Sequence, residues 1–266
     1  MLRQVTGQKD PEIALLRELT TEEGRARAGK FFAEGEELVR RAFDYGGGVS
    51  RVIVTERFAA SPSAREILDR AAGANVECLS ASEGLLAKIL EAKPTPECLA
   101  IVERRLVRLQ DILSVDRPLI IMVEHGENAD NLGMLLRSAE AAGVSGVVLA
   151  ADTTDPFARR VVRGSRGAVF TLPICIRHDP VGAIDQAKAA GLQVIASSAR
   201  SDIVHTKIDF TKPTMLVVGN EHVGISDAVR DRADAVVRIP MRGRINSLNI
   251  AVAASILLYE AVRQRG

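Results

Sequence analysis

Five continuous apolar runs, at residues 118–123, 146–150, 193–196, 215–218 and 235–239, constrain the second half of this chain more than any other feature. A strand with one wet face alternates polar and apolar side chains. An unbroken run such as Pro118-Leu119-Ile120-Ile121-Met122-Val123 instead suits a strand covered on both faces. Helical patterns separate most of the runs, and that alternation predicts a parallel sheet with helices packed on both sides. In such sheets ligands sit beyond the carboxyl ends of the strands, so chemistry is sought in the loops that follow the runs.

The first hundred residues read differently. Short β-rich runs at 31–33, 52–54, 76–79 and 99–102 alternate with helical stretches at 11–27, 36–45, 64–72 and 83–92, which predicts a small α/β layer. Arg104-Arg105-Leu106-Val107-Arg108 and the residues up to Pro118 carry charges and a proline without sustained periodicity, as a connector does. The expected division is therefore a first domain of 1–107, a linker of 108–117 and a second domain of 118–266. Arg25, Arg27, Lys30, Arg40 and Arg41 concentrate near the start of the first, as a solvated basic face or a surface for phosphates.

A length of 266 residues accommodates two such domains. Lys and Arg number 35 against 34 Asp and Glu, so bulk charge argues neither for nor against nucleic acid, and only clustering can. Cys78, Cys98 and Cys175 are scattered and not in metal-ligand spacing, which suits a reducing cytosol and no metal. The chain opens on no apolar signal run, and no segment approaches the roughly eighteen consecutive apolar residues of a membrane span. A cytoplasmic protein is expected.

Four loop segments hold the candidate chemistry. After the first run, residues 125–133 lead into a helix whose Leu132, Leu135, Leu136 and Ala139 face a core. Arg137 falls outside that stripe, and Asn131 near the helix start can cap the helix or bond the guanidinium. In residues 155–167, Arg159, Arg163 and Arg166 stand at i, i+4 and i+7 with Ser165 alongside, as a solvated face or a phosphate grip. Gly219-Asn220-Glu221-His222-Val223-Gly224 follows the fourth run, with Gly219 placed for close backbone approach to a ligand. It is neither a dinucleotide fingerprint nor a phosphate loop, and His222 has no second ligand at metal spacing.

The last segment, 239–254, places Pro240 and Gly243 before a terminal helix with few polar side chains. That pattern predicts a helix buried all round, capped by Ser247, with Asn249 one turn in and in need of a partner.

Together these segments resemble the SpoU (TrmH-like) branch of the SPOUT RNA methyltransferases. Asn131-x-Gly133-x-x-x-Arg137-x-Ala139 matches the first motif, and Gly219-Asn220-Glu221-x-x-Gly224 the second. Ile239-Pro240-Met241 with Ser247-Leu248-Asn249-Ile250-x-Val252-Ala253 matches the third. Residues 31–39, Phe-Phe-Ala-Glu-Gly-Glu-Glu-Leu-Val, are similar to the substrate-binding domain often fused ahead of that catalytic domain. The resemblance implies an α/β chain with a C-terminal parallel-sheet SPOUT domain, a trefoil knot, and a small RNA-binding α/β domain before it.

It also implies transfer of a methyl group from S-adenosylmethionine to a ribose 2′-hydroxyl of RNA by a homodimer. Gly219, Ile239, Met241 and Leu248 would hold the cofactor, with Ser197 or Ser198 as neighbours. Arg137 would act on the hydroxyl while Asn131, Glu221, Ser247 and Asn249 order the site, and Arg159, Arg163, Ser165 and Arg166 would face RNA. The N-terminal domain favours large-subunit ribosomal RNA over transfer RNA. The family's usual Asp-Pro pair before the first-motif Asn is Asn128-Ala129 here, which puts a rigid turn in doubt. An RNA-binding protein without catalysis and a nucleotide-dependent oxidoreductase are the competing classes.

Overall fold

A computed structural model describes residues 2–5, 7–220 and 223–266. The chain divides into two compact units, 1–104 with 157–171, and 105–156 with 172–266. The segment Phe157–Thr171 thus groups with the first unit, although the sequence reading put it in the second domain.

The first unit runs β1 (Leu2–Val5), α1 (Pro11–Glu18), α2 (Glu22–Ala28), β2 (Lys30–Glu34), α3 (Glu36–Asp44), β3 (Val49–Thr55), α4 (Glu56–Ala59), α5 (Pro62–Gly73), β4 (Glu77–Ala81), α6 (Glu83–Leu90) and β5 (Cys98–Glu103). Its five strands take the order β1-β4-β3-β5-β2. The strands β1, β4 and β3 are mutually parallel, while β5 runs antiparallel to both β3 and β2. Helix starts follow the side-chain oxygens: Asp10, Thr21, Thr55, Ser61 and Ser82 each accept from a backbone N–H in the first turn. The stretch read as one helix over 11–27 is two, because Thr21 caps a second start there.

The second unit holds α7 (Leu109–Leu113), β6 (Leu119–Val123), α8 (Ala129–Ala141) and β7 (Gly146–Ala150). After α9 (Arg159–Ser165), which packs in the first unit, come β8 (Ile174–Arg177), α10 (Pro180–Ala189), β9 (Gln193–Ser197) and β10 (Ile203–Val204). The chain ends with β11 (Thr214–Val218), α11 (Asp227–Arg232), β12 (Ala235–Arg238) and α12 (Ile250–Arg265). The sheet has seven strands in the order β10-β12-β9-β11-β6-β7-β8, and every pairing is parallel. As the unbroken runs require, all residues of β6, β7 and β11 are buried.

Within the stretch read as a linker, Leu109, Ile112 and Leu113 of α7 are buried in the core beside Met122, Val148 and Val194. Their i, i+3, i+4 spacing is an amphipathic signal too short to stand out in sequence. Among the described residues no helix is long and apolar enough to cross a membrane.

The terminal helix departs from its expected form. It starts at Ile250, and its cap is Asn249, whose Oδ1 accepts from the N–H groups of Ala251 and Val252 at 2.9 and 3.4 Å. Ser247 is exposed in the preceding turn. Nor is α12 buried all round: Val252 and Tyr259 are 47% and 51% exposed.

Candidate active site

The strands β12, β9 and β11 are neighbours, so their carboxyl ends bring three connections together around a cleft of about 310 Å3. Ser197 and Ser198 leave β9, Gly219 leaves β11, and Ile239 and Met241 leave β12. Ser247 and Leu248 close the cleft with Ile250 and Ala253 at the foot of α12. Every residue that the resemblance assigns to the cofactor therefore lines one cavity, although the most distant pair, Ser197 and Leu248, stand far apart in the chain.

The walls suit the sulfonium-bearing nucleoside S-adenosylmethionine. Apolar Val218, Ile239 and Leu248 offer faces for an adenine ring, while the hydroxyls of Ser197, Ser198 and Ser247 and the strand-end backbone offer polar partners. Gly219 lines the cleft and also makes a close contact within its own loop. A Cβ there would lie 2.3 Å from the carbonyl carbon and oxygen of Gly224 and 2.5 Å from Ile225 N, so the missing side chain is required by the packing of its own loop. Asn220 pairs with Gly224 across that loop, where Gly224 N–H donates to Asn220 O at 2.7 Å. Glu221 and His222 lie outside the described residues.

Asn131 is buried on α8 and faces α12, where Asn249 Nδ2 donates to Asn131 Oδ1 at 2.8 Å. Two turns on, the hydroxyls of Ser255 and Ser138 meet at 2.8 Å, so the two helices run side by side in the same direction. The cap of α8 is Asn128, whose Oδ1 accepts from Asp130 N and Asn131 N at 2.9 and 3.1 Å. The departure Asn128-Ala129 thus keeps a fixed helix start by side-chain capping, and Asn131 is left for Asn249. Arg137 is exposed, does not line the cleft, and has no side-chain partner among the described residues. Around it the seam of α8 and α12 is edged by exposed Met134, Val252 and Tyr259.

The basic stripe breaks up. α9 ends at Ser165, and Arg166 takes a left-handed turn at φ +53, so it leaves the face of Arg159 and Arg163. Arg159 is ion-paired to Glu34 and donates to Leu90 O at 3.0 Å. Arg166 is paired to Glu37 at 2.7 Å. Ser165 is 1% exposed, with its hydroxyl donating inward to Val162 O. Only Arg163 and Arg166 present exposed guanidinium groups from this set. The earlier cluster is likewise engaged: Arg25 is buried on the carbonyls of Leu19 and Thr20, and Arg27, Lys30, Arg40 and Arg41 each face an acid.

Sequence reasoning passed over Glu124 at the end of β6. It is 3% exposed, and its two oxygens accept from the N–H and the hydroxyl of Ser226, each at 2.8 Å. A lone acid directly after an unbroken apolar run was the available signal. Arg200 and Arg230, also at the cleft, were not singled out either. No cluster of metal-ligating side chains occurs among the described residues.

Residues 118–259 match the SpoU rRNA Methylase family, and residues 10–100 match the MRM3-like substrate binding domain. The chain is 29% identical to the 23S rRNA (guanosine(2553)-2′-O)-methyltransferase RlmP of Bacillus subtilis over 97% of its own length and 98% of that protein's. It is 33% identical to the 23S rRNA (uridine(2479)-2′-O)-methyltransferase of Streptomyces viridochromogenes, covering 91% of this chain and 85% of that one. The AdoMet-bound rRNA methyltransferase of Sinorhizobium meliloti superposes with a TM-score of 0.86 at 31% identity, over 98% of each chain.

This chain belongs to the SpoU rRNA methylase family. It is an RNA 2′-O-ribose methyltransferase that uses S-adenosylmethionine.

Proposed function

We propose that this chain methylates a ribose of large-subunit ribosomal RNA, with the cofactor in the strand-end cleft and Arg137 supplied by a second copy. What carries the reading is a mismatch. The turns at 219, 239 and 248 share one cavity, while Arg137 stands exposed and outside it. Exposed apolar Met134, Val252 and Tyr259 beside Arg137 are surface that a symmetric partner helix pair would cover. A two-fold axis there would carry each Arg137 toward the other copy's cleft. Two of the relatives named above act on 23S rRNA, and the matched N-terminal domain is a substrate-binding one, which supports the ribosomal substrate.

Bound in the cleft, the cofactor supplies a sulfonium methyl already activated toward nucleophiles. The protein's task is to align a ribose hydroxyl with it and to help a proton leave. Arginine stays charged to above about pH 12, so Arg137 is a poor base. It instead engages a substrate phosphate and the hydroxyl together, and the proton departs toward phosphate. Asn131 and Asn249 lock α8 to α12 and so fix the helix that carries Arg137, while Ser247 and, by its motif, Glu221 would order the site. Of the stripe expected to face RNA, Arg163 and Arg166 are exposed and would meet RNA backbone, Arg166 by giving up its pairing with Glu37. The likeness to 23S rRNA methyltransferases supports a cytoplasmic setting.

Labelled S-adenosylmethionine with ribosomal RNA from cells lacking the gene tests this directly. Label in 23S rRNA at one ribose is expected. Label confined to transfer RNA would overturn the substrate, and a fully active monomer in sedimentation would overturn the shared site.

A further inference from the structure

The turn that makes the cleft wall is held from outside the cleft by Glu124, which lies outside the three motif stretches given above. Gly219 lets residues 224 and 225 press against the end of β11, but contact alone does not fix where that segment goes next. Immediately beyond it, Ser226 is clasped by Glu124: Oε2 accepts from the backbone N–H and Oε1 from the hydroxyl, both at 2.8 Å. The same hydroxyl accepts from Val229 N at 3.3 Å and caps α11. Glu124 is itself fixed to the neighbouring strand, its N–H donating to Val218 O at 3.0 Å. The adjoining carbonyl of His125 accepts from Asn220 Nδ2 at 3.2 Å, so both ends of the loop 219–226 are tied to the end of β6.

We infer that Glu124 is a positioning residue for the methyl-transfer reaction, setting the wall of the cofactor cleft through Ser226. Its side chain is 4% exposed and both oxygens are engaged, so it cannot reach an RNA hydroxyl as a base. A carboxylate is the fitting group because it only accepts, and both of its partners here donate. Ile225, which Ser226 follows, lines the cleft on one side and belongs to the buried core on the other. Loss of the clasp frees this residue to withdraw, and the cavity loses the part of its wall that Ile225 makes.

The inference rests on the cleft being the cofactor site, and the experiment separates the two. S-adenosylmethionine affinity is measured by calorimetry for Glu124→Ala, Ser226→Ala, the double variant, Ser226→Thr and a cleft-filling Ala253→Trp, with melting temperatures taken without cofactor. Each alanine variant should bind about tenfold more weakly, as expected for a buried charged hydrogen bond left unmade. The double variant should be no worse than either single one, and Ser226→Thr, which keeps the hydroxyl and the N–H, should bind like the parent. RNA affinity in the absence of cofactor should not move. Parent-like cofactor affinity in Glu124→Ala and Ser226→Ala, or losses that simply add, would overturn the positioning role while Ala253→Trp still loses binding. Undiminished binding by Ala253→Trp would overturn the cleft assignment itself. Should Glu124→Ala not fold, Ser226→Ala alone carries the same expectation.

Discussion

Asn249 Nδ2 donates to Asn131 Oδ1 across 2.8 Å, while the oxygen of the same Asn249 carboxamide caps α12. One side chain therefore sets both where the terminal helix begins and how it lies on α8. Aspartate would keep the cap and place an acceptor against an acceptor at Asn131. Asn249→Ala should cost about 1 kcal/mol of stability from the lost cap and slow methyl transfer. Asn249→Asp should melt close to the parent and still be slow in single-turnover assays. Normal turnover by the aspartate variant would mean that the bond to Asn131 is irrelevant to chemistry.

Arg137 makes no hydrogen bond or ion pair among the described residues, so its removal should leave the fold intact. Arg137→Ala should abolish methyl transfer while cofactor affinity survives. If each cleft uses its partner's arginine, mixing this variant with a cleft-dead one should restore activity, to about a quarter of the parent for random pairing in a symmetric dimer. Mixed samples that stay inactive, as followed by labelled methyl incorporation, would place Arg137 in its own subunit's reaction or in none.

The parallel sheet was legible because buried strands leave unbroken apolar runs, and five of its strands stood where such runs predicted. Strand β8 was missed: its Ile174-Cys175-Ile176 is short and follows Pro173, and a run of that length is ambiguous alone. Convergence of Ser197, Gly219, Ile239 and Leu248 on one cleft came from motif resemblance, because strand order is a long-range property that periodicity does not carry. The arginine stripe misled for a related reason. Helical spacing places Arg159 and Arg163 on one turn-to-turn face, but the partners that take up Arg159, Glu34 and the Leu90 carbonyl, lie in another part of the chain.

Gly219 offers a sharp steric test. Because an added Cβ would lie 2.3 Å from Gly224 backbone, which cannot yield as a flexible side chain would, Gly219→Ala should displace the loop 219–226. Cofactor binding should fall below detection in calorimetry while the sheet, probed by far-ultraviolet circular dichroism, persists. Retained affinity would show that the loop moves without consequence.

The last turns of α12 predict a pH dependence. Hydrogen bonds from Arg263, at 2.9 and 2.8 Å, and from Gln264, at 2.8 Å, hold the Glu260 carboxyl down to about 2 from an ordinary 4.5. A depressed acid contributes stability above its unfolded value and loses it as pH falls toward the folded one. Gln264 also accepts from Phe210 N at 2.8 Å, so the cluster fastens the helix end to the segment before β11. Glu260→Gln should lower the melting temperature at neutral pH and flatten its fall between pH 4.5 and about 2. A parallel downward shift at every pH would assign the effect to packing.

In the first unit, the pair Glu34 and Arg159 joins β2 to α9, and its two halves are unequal. The Glu34 side chain is 10% exposed against 31% for Arg159, and burial raises the Glu34 carboxyl even though Arg159 opposes the shift. Removing the arginine leaves a buried acid with its chief counter-charge gone, whereas removing the acid leaves a cation that can turn to water. Arg159→Met should therefore destabilise more than Glu34→Gln, by about 2 kcal/mol once the partial exposure of Arg159 is allowed for. Adding Glu34→Gln to Arg159→Met should recover part of that loss. Since the folded state holds the Glu34 proton more tightly than the unfolded chain, the Arg159→Met defect should shrink as pH is lowered through the carboxylate range. Melting curves for the four proteins across that range decide it: a defect that grows on acidification would mean Arg159 stabilises this unit by the packing of its aliphatic stem, with no debt to the charge of Glu34.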